Sequence, residues 1–106
     1  MNGLELISFQ IITAVGTAKS NYIEAIREAK TGDFRKADKL MEEGKKNFLE
    51  GHKAHSALLT KEADGEKTEI TLLLMHAEDQ LMAADTIKIM AEEFIDLYKK
   101  AKVLYF

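Results

Sequence analysis

The sequence contains no cysteine, no proline and only six glycines among its 106 residues. The absence of cysteine excludes disulfides, thiolate chemistry and cysteine-based zinc sites. The shortage of proline and glycine disfavours a β-rich fold, which needs many turn residues. No apolar stretch approaches the roughly 18 residues that a transmembrane helix requires. No basic segment precedes an apolar run near the N-terminus, so no signal peptide is predicted.

The sequence also lacks a large excess of charge of either sign. Fifteen lysines and arginines stand against 18 aspartates and glutamates, which gives a formal net charge of −3. Nucleic-acid binding usually needs a clear basic excess, so no nucleic-acid partner is expected. No nucleophile elbow, phosphate-binding glycine loop or dinucleotide fingerprint occurs. The composition therefore predicts a soluble, cytoplasmic, all-α protein.

Two turn sequences divide the chain into three helices. Gly32 suits the left-handed residue just past a helix, and Asp33 suits the N-cap of the next helix. The segment Ala63-Asp64-Gly65-Glu66-Lys67 is a second turn, with Thr68 as the expected N-cap of the third helix. The short connections predict an antiparallel, up-down-up three-helix bundle. Within a single domain, 1–106, the predicted helices cover about 3–31, 33–63 and 68–103.

The spacing of apolar residues in the second helix predicts one buried stripe. Its members recur every three or four residues: Phe34, Ala37, Met41, Gly44, Phe48, His52, His55 and Leu59. Three glycines, Gly16, Gly44 and Gly51, fall inside predicted helices, where glycine costs up to about 1 kcal/mol relative to alanine. We interpret these glycines as points of close approach between helices.

The third helix carries two apolar faces on a helical wheel. The first can pack on the other two helices and comprises Ile70, Leu73, Ala77, Leu81, Ala84, Ala91 and Ile95. The second lies nearly opposite and comprises Leu72, Met75, Asp79, Met82, Ala83, Thr86 and Met90. The clearly polar strip is narrow and comprises Thr71, Glu78, Asp85, Glu92 and Asp96. A helix that is apolar almost all round needs burial on all sides, which two partner helices cannot supply. We therefore expect self-association, with third helices meeting around a common axis.

Asp79 lies in the middle of the second apolar face. A buried carboxylate without a partner is costly, so it protonates or recruits a partner. Around a three-fold axis, carboxylates about 5 Å apart would repel by roughly 3 kcal/mol at an effective dielectric constant of 20. A divalent cation removes this repulsion, and three carboxylate oxygens with waters suit octahedral Mg²⁺. Two alternatives stay open: a two-fold axis whose two carboxylates share a proton, and an accidental aspartate beside a solvent-filled gap.

The three histidines are the remaining candidates for chemistry. His76 lies about 60° around the helix from Asp79, and its pattern alone allows core packing, partial exposure or catalysis. His52 and His55 lie three residues apart on one helical face, a spacing that permits shared metal ligation. No Glu-x-x-His pair occurs, which argues against a carboxylate-bridged di-iron bundle. We interpret His52 and His55 as interface or surface residues.

Several segments together resemble one protein family. The segment Leu72-Leu73-Leu74-Met75-His76-Ala77-Glu78-Asp79-Gln80-Leu81-Met82 resembles the active-site signature of the lactose/cellobiose-type IIA components of the sugar phosphotransferase system. Ala54-His55-Ser56 and Lys61-Glu62-Ala63-Asp64-Gly65-Glu66 resemble the end of that family's second helix and its turn. Phe94-Ile95-Asp96-Leu97-Tyr98 resembles its closing helix. The resemblance covers nearly the whole chain.

This resemblance implies a phosphocarrier that forms a homotrimer of three-helix protomers, with the third helices around the three-fold axis. His76 would accept a phosphoryl group from phospho-HPr, through Nε2, and pass it to a cysteine of the IIB component, which phosphorylates the sugar at the IIC membrane channel. Asp79 matches the aspartate that binds one metal ion per trimer on the axis, expected to be Mg²⁺. Family members often have glutamine at the position of Glu78, so its role stays open. The membrane component selects the sugar, which leaves lactose, cellobiose, chitobiose and other β-glucosides as alternatives.

The chemistry suits these residues, because a neutral imidazole is a good nucleophile near pH 7 and a phosphohistidine is labile enough to be passed on. Gln80 shares a helical face with His76, so we expect its amide to contact the phosphoryl oxygens. Leu73 and Ile87, near His76, are expected to contribute to docking.

Two other interpretations of the function stay open. One is a non-enzymatic helical trimerisation module, and the other is a metal-binding bundle that uses His52, His55 and Asp79.

Overall fold

The computed structural model describes residues 2–105, and these residues form three α-helices and no strand. The helices are α1 (Gly3–Lys30), α2 (Phe34–Ala63) and α3 (Leu72–Tyr105). The predicted all-α architecture is confirmed. None of the described helices is both long enough and apolar enough to cross a membrane. Met1 and Phe106, which the predicted domain also includes, lie outside the described residues.

The first two helices begin and end within a residue or so of the predicted positions. The side chain of Asn2 accepts a hydrogen bond of 2.8 Å from the Glu5 amide and so caps α1. Gly32 follows α1 with φ of +88°, a left-handed conformation that favours glycine. Asp33 then caps α2, because its carboxylate accepts a hydrogen bond of 3.1 Å from the Lys36 amide.

The third helix begins four residues later than predicted. Thr71, not Thr68, is the N-cap, since the Thr71 hydroxyl accepts a hydrogen bond of 3.1 Å from the Leu74 amide. The Thr71 carbonyl also accepts the first backbone bond of the helix, from Met75 at 3.0 Å. Residues 64–71 form the connection between α2 and α3. The prediction of Thr68 was wrong because Thr68 and Thr71 are equally suitable N-cap residues by sequence, and the sequence does not show which of them precedes the helix.

Side-chain hydrogen bonds between helices confirm the up-down-up order. Asn47 on α2 donates to the Asn21 side chain on α1 at 2.8 Å. Lys99, near the end of α3, donates to Asp38, near the start of α2, at 3.1 Å. Both pairings require α2 to run antiparallel to its two neighbours, so α1 and α3 run in the same direction. The described chain is elongated, with principal extents of 57 × 24 × 19 Å.

The core lies mainly on α1, which packs along both other helices, whereas α2 and α3 touch each other much less. Near the α1–α2 turn, small residues of α1 pack with Ala91 and Ile95 of α3 and with Ala37 and Met41 of α2. Nearer the start of α3, Ile11 and Val15 pack against Ala77, Leu81 and Ala84. Alanines dominate these contacts, so the helices approach closely and leave little room for substitution.

Two of the three glycines predicted at close contacts occupy such contacts. A Cβ atom on Gly44 would lie 2.4 Å from Cε1 of Tyr22, and one on Gly51 would lie 2.6 Å from Cγ1 of Val15. The prediction was wrong for Gly16, where a Cβ atom would meet nothing within 4 Å in this chain. Gly16 differs from Gly44 and Gly51 because the sequence shows that a glycine lies within a helix but not whether it faces another helix.

Tyr22 is the largest fully buried side chain of the described core. Its hydroxyl has no hydrogen-bond partner among the described residues. Burial of the phenol, with Glu92 and Asp85 nearby, raises the pKa of Tyr22 to about 12. The side chain is therefore neutral at physiological pH, and its ring fills the space opposite Gly44 as an apolar body.

We predict that Gly44→Ala destabilises the protein by about 1–3 kcal/mol, because the added methyl group overpacks the buried Tyr22 ring. Gly16→Ala is the matched control, since it adds the same methyl group to a helix interior with open space around it. That variant should gain up to about 1 kcal/mol from helix propensity. Urea unfolding at a fixed protein concentration measures both changes. Equal effects of the two substitutions would contradict the assigned contact.

Candidate functional site

One face of α3 is apolar and uncovered. Leu72 is 83% exposed, Met82 64%, Met75 55% and Met90 49%. This face matches the predicted second face of the helix except at Ala83, which is half-buried. We call its exposed members the open face of α3: Leu72, Met75, Asp79, Met82, Thr86 and Met90. It is uncovered because α1 and α2 both pack on the other side, where Ala77, Leu81, Ala84, Ala91 and Ile95 are buried as predicted.

The predicted packed face needs two corrections at its start. Ile70 precedes α3 and is 78% exposed, so its assignment to the packed face was wrong. Leu74, which was not assigned to either face, is buried at 5% exposure. The exposure of Ile70 follows from the later start of the helix, since a residue outside the helix does not obey its angular spacing. Leu74 lies seven residues before the buried Leu81, so the helical spacing itself places it on the packed face.

Asp79 occupies the middle of the open face. Its side chain is exposed, and it forms no hydrogen bond or ion pair with the described side chains of its own chain. The described residues contain no group of three histidine, aspartate or glutamate side chains that could hold a metal ion. A metal site within one chain at His52, His55 and Asp79 therefore has no support. Asp79 can meet further carboxylates only if other copies supply them.

His76 lies at one edge of the open face and is exposed. Leu73 and Gln80, one helical turn away on either side, are half-buried, as is Ile87 further along. No described side chain of the same chain hydrogen-bonds to the His76 ring. The imidazole is thus accessible on a rigid helix, with the Gln80 amide on the same helical face. Such a group can act as a nucleophile toward a partner that docks from outside.

Glu78 lies on the opposite side of α3 from His76 and is hydrogen-bonded to His55 of α2. The distance between His55 Nε2 and Glu78 Oε1 is 3.0 Å. The His55 side chain is only 17% exposed, whereas Glu78 is 45% exposed. His55 is therefore largely buried and joins α2 to α3, and it is not the interface or surface residue that we expected. His52 is exposed and stacks on Phe48, which fits its interpretation as a surface residue but not its place in the predicted buried stripe of α2.

The His55–Glu78 contact was missed by the sequence analysis. Both residues were noted, yet their partnership depends on the register of α2 against α3. That register is set by the path of residues 64–71, which no periodicity reveals. The pair also lines a groove of about 560 Å³ between the end of α2 and the start of α3, whereas His76 does not.

Comparison with known proteins shows extensive similarity to one family. The family model described as "PTS system, Lactose/Cellobiose specific IIA subunit" matches residues 6–99. Over 97 residues the chain is 45% identical to the lichenan-specific phosphotransferase enzyme IIA component of Bacillus subtilis, covering 92% of this chain and 88% of that protein. It is 37% identical to the lactose-specific EIIA component of Staphylococcus aureus, covering 92% and 94% of the two chains.

Solved structures show the same similarity in three dimensions. The cellobiose-specific enzyme IIA from Bacillus anthracis superposes with a TM-score of 0.95 at 47% identity, covering 97% of this chain and 94% of that one. A IIA(Chitobiose) protein solved in complex with HPr superposes with a TM-score of 0.85 at 28% identity, covering 96% and 99%. The similarity spans all three helices, including the segment that carries His76.

Proposed function

Because the chain belongs to the lactose/cellobiose-specific IIA family of the phosphotransferase system, we propose that it carries a phosphoryl group on His76. The observation that supports this assignment most directly is the exposed imidazole of His76 on a rigid helix, within the segment that resembles the family's active-site signature. Phospho-HPr is the proposed donor, and a cysteine of the IIB component is the proposed acceptor.

The proposed transfer needs little beyond a nucleophile and correct placement. In the neutral imidazole, the lone pair of Nε2 attacks phosphorus, and an N–P bond forms as the bond to the HPr donor breaks. In the second step the IIB thiolate attacks phosphorus, and the N–P bond breaks to restore neutral His76. We assign the Gln80 amide to the phosphoryl oxygens, since it lies one helical turn from His76 and can donate two hydrogen bonds.

HPr as donor is supported by the similarity of this chain to a IIA(Chitobiose) protein solved in complex with HPr. Leu73 and Ile87 are half-buried near His76 and offer apolar area to a docking partner. A carrier must release its partners at each cycle, so a modest, partly apolar contact suits the role. The IIC membrane channel lies downstream of the IIB component in this proposal.

We further propose that the protein is a homotrimer assembled through the open face of α3. Exposed leucine and methionine side chains on one continuous helical face form an apolar patch that is unusual on a monomer. Cyclic symmetry would bring three such faces together and place three Asp79 carboxylates on the axis. Asp79 has no hydrogen-bond or ion-pair partner among the described side chains of its own chain, and three carboxylates are a donor set that suits Mg²⁺. The ion would neutralise the clustered charge, and no transfer step depends on it.

We predict that the protein gains one phosphate per chain when mixed with phosphoenolpyruvate, enzyme I and HPr, as measured by intact mass at neutral pH. The gain should disappear in acid and in His76→Ala. His52→Ala is the matched control, because His52 is also an exposed helical histidine, and this variant should be phosphorylated normally. A folded protein that gains no mass would favour the non-enzymatic trimerisation module. Phosphorylation of His76→Ala would place the acceptor elsewhere.

We predict that sedimentation equilibrium gives three times the chain mass of 11.9 kDa. Met82→Glu should dissociate the assembly, because it places a charge at the centre of the open face. Leu6→Glu is the control, since Leu6 is 48% exposed but lines a groove between α1 and α2 instead. Added Mg²⁺ should raise the melting temperature of the trimer, and Asp79→Asn should abolish that rise. A monomer at micromolar concentration would contradict the proposed assembly.

A further inference from the structure

We propose that His55 and Glu78 are positioning residues, whose hydrogen bond fixes the rotation of α3 and thereby the placement of His76. This inference rests on the proposed phosphocarrier role of His76. Neither residue touches the phosphoryl group in this account. Glu78 points away from His76, since two residues along a helix differ by about 200°.

α3 is anchored much less by α2 than by α1. α3 packs mainly on α1, where Ala77, Leu81 and Ala84 lie against Ile11 and Val15, and it meets α2 much less. Among the described residues, two side-chain hydrogen-bonded links join α2 to α3: His55–Glu78 and Asp38–Lys99. The second link lies 21 residues further along α3, or roughly 30 Å away. Of these two hydrogen-bonded links, the His55–Glu78 bond is therefore the one at the level of His76, beside apolar contacts of Phe48 and Ala54 with the cluster that contains Ala77.

The His55–Glu78 bond is sheltered from water on its His55 side. The His55 side chain is 17% exposed and that of Glu78 is 45% exposed, against 43% for Lys99 and 59% for Asp38 in the distant link. A hydrogen bond gains strength as water is excluded from it, whereas an exposed ion pair contributes little. The His55–Glu78 bond is thus the better anchor of the two.

Residue 78 needs only a hydrogen-bond acceptor to make this contact. The bond requires a proton on His55 Nε2, because an ionised carboxylate can only accept. The amide oxygen of a glutamine can accept the same hydrogen bond from the same atom. The role we assign is therefore the bond and not the charge, so Glu78→Gln should preserve it and Glu78→Ala should not.

The consequence for transfer follows from geometry. A helix rotates about its axis as a rigid unit. If the bond at Glu78 is lost, α3 can therefore rotate, and this rotation displaces His76 on the other side of the helix. Transfer between positioned groups is sensitive to displacements of this kind, since a misplacement of about 1 Å can cost about a hundredfold in rate. Docking of the donor would be less affected, because the residues around His76 are unchanged.

The test is the steady-state rate of phosphoryl transfer from phospho-HPr, with kcat and KM measured separately. We expect Glu78→Ala and His55→Ala each to lower kcat by about tenfold, with KM within twofold of the wild type. The double variant should be no slower than either single variant, because one bond is removed in all three. Glu78→Gln should retain kcat within about twofold.

Lys99→Ala is the matched control, because it removes the other link between α2 and α3 without approaching His76, and its kcat should be unchanged. Circular dichroism and sedimentation establish that each variant is folded, and His55→Ala tests the bond if Glu78→Ala does not fold. An unchanged kcat in Glu78→Ala, a loss in Glu78→Gln equal to that in Glu78→Ala, or an equal loss in Lys99→Ala would each overturn the inference. Wild type that accepts no phosphate would overturn the proposed function itself, a different result from a phosphorylated wild type with insensitive variants.

Discussion

The constraint on which the structure depends is that α3 has more apolar surface than two helices can cover. α1 lies against both other helices and buries one side of α3, largely through alanines that allow close approach. The other side keeps Leu72, Met75 and Met82 more than half exposed. Exposure of such an apolar face to water is unfavourable in a chain of this size. We propose that association with further copies of the chain buries it.

This arrangement also explains why the candidate site needs so few residues. His76 lies at the edge of the open face, on a helix that is packed along its opposite side, so the imidazole is exposed yet mounted on a rigid element. Nothing described in the same chain encloses it. A carrier gains from this openness, because its partners supply the remaining chemical groups and must each reach the same nitrogen.

The sequence predicted the number of helices, their order and the double character of α3, because these follow from residue spacing and turn chemistry. It failed where two residues satisfy one local rule: Thr68 and Thr71 both suit an N-cap, and the connection from α2 decides between them. In α2 the predicted stripe included Leu59, yet Leu58 is buried, at 8% exposure, and Leu59 is exposed. The buried positions Gly44, Gly51 and Leu58 repeat every seven residues. A seven-residue repeat drifts by about 20° per repeat around a straight helix, so the buried side moves away from the position of Leu59 toward that of Leu58. The His55–Glu78 bond is of the same kind, since it joins residues whose register local rules do not set.

The central claim is that His76 is the residue that carries the phosphoryl group. The most direct measurement is nitrogen NMR of protein labelled at histidine, recorded before and after phosphorylation by phosphoenolpyruvate, enzyme I and HPr. The account predicts a phosphorus–nitrogen coupling at Nε2 of His76 and none at His52 or His55. A coupling at either of those two rings, or at Nδ1 of His76, would contradict it, and so would three unchanged imidazoles in the folded protein.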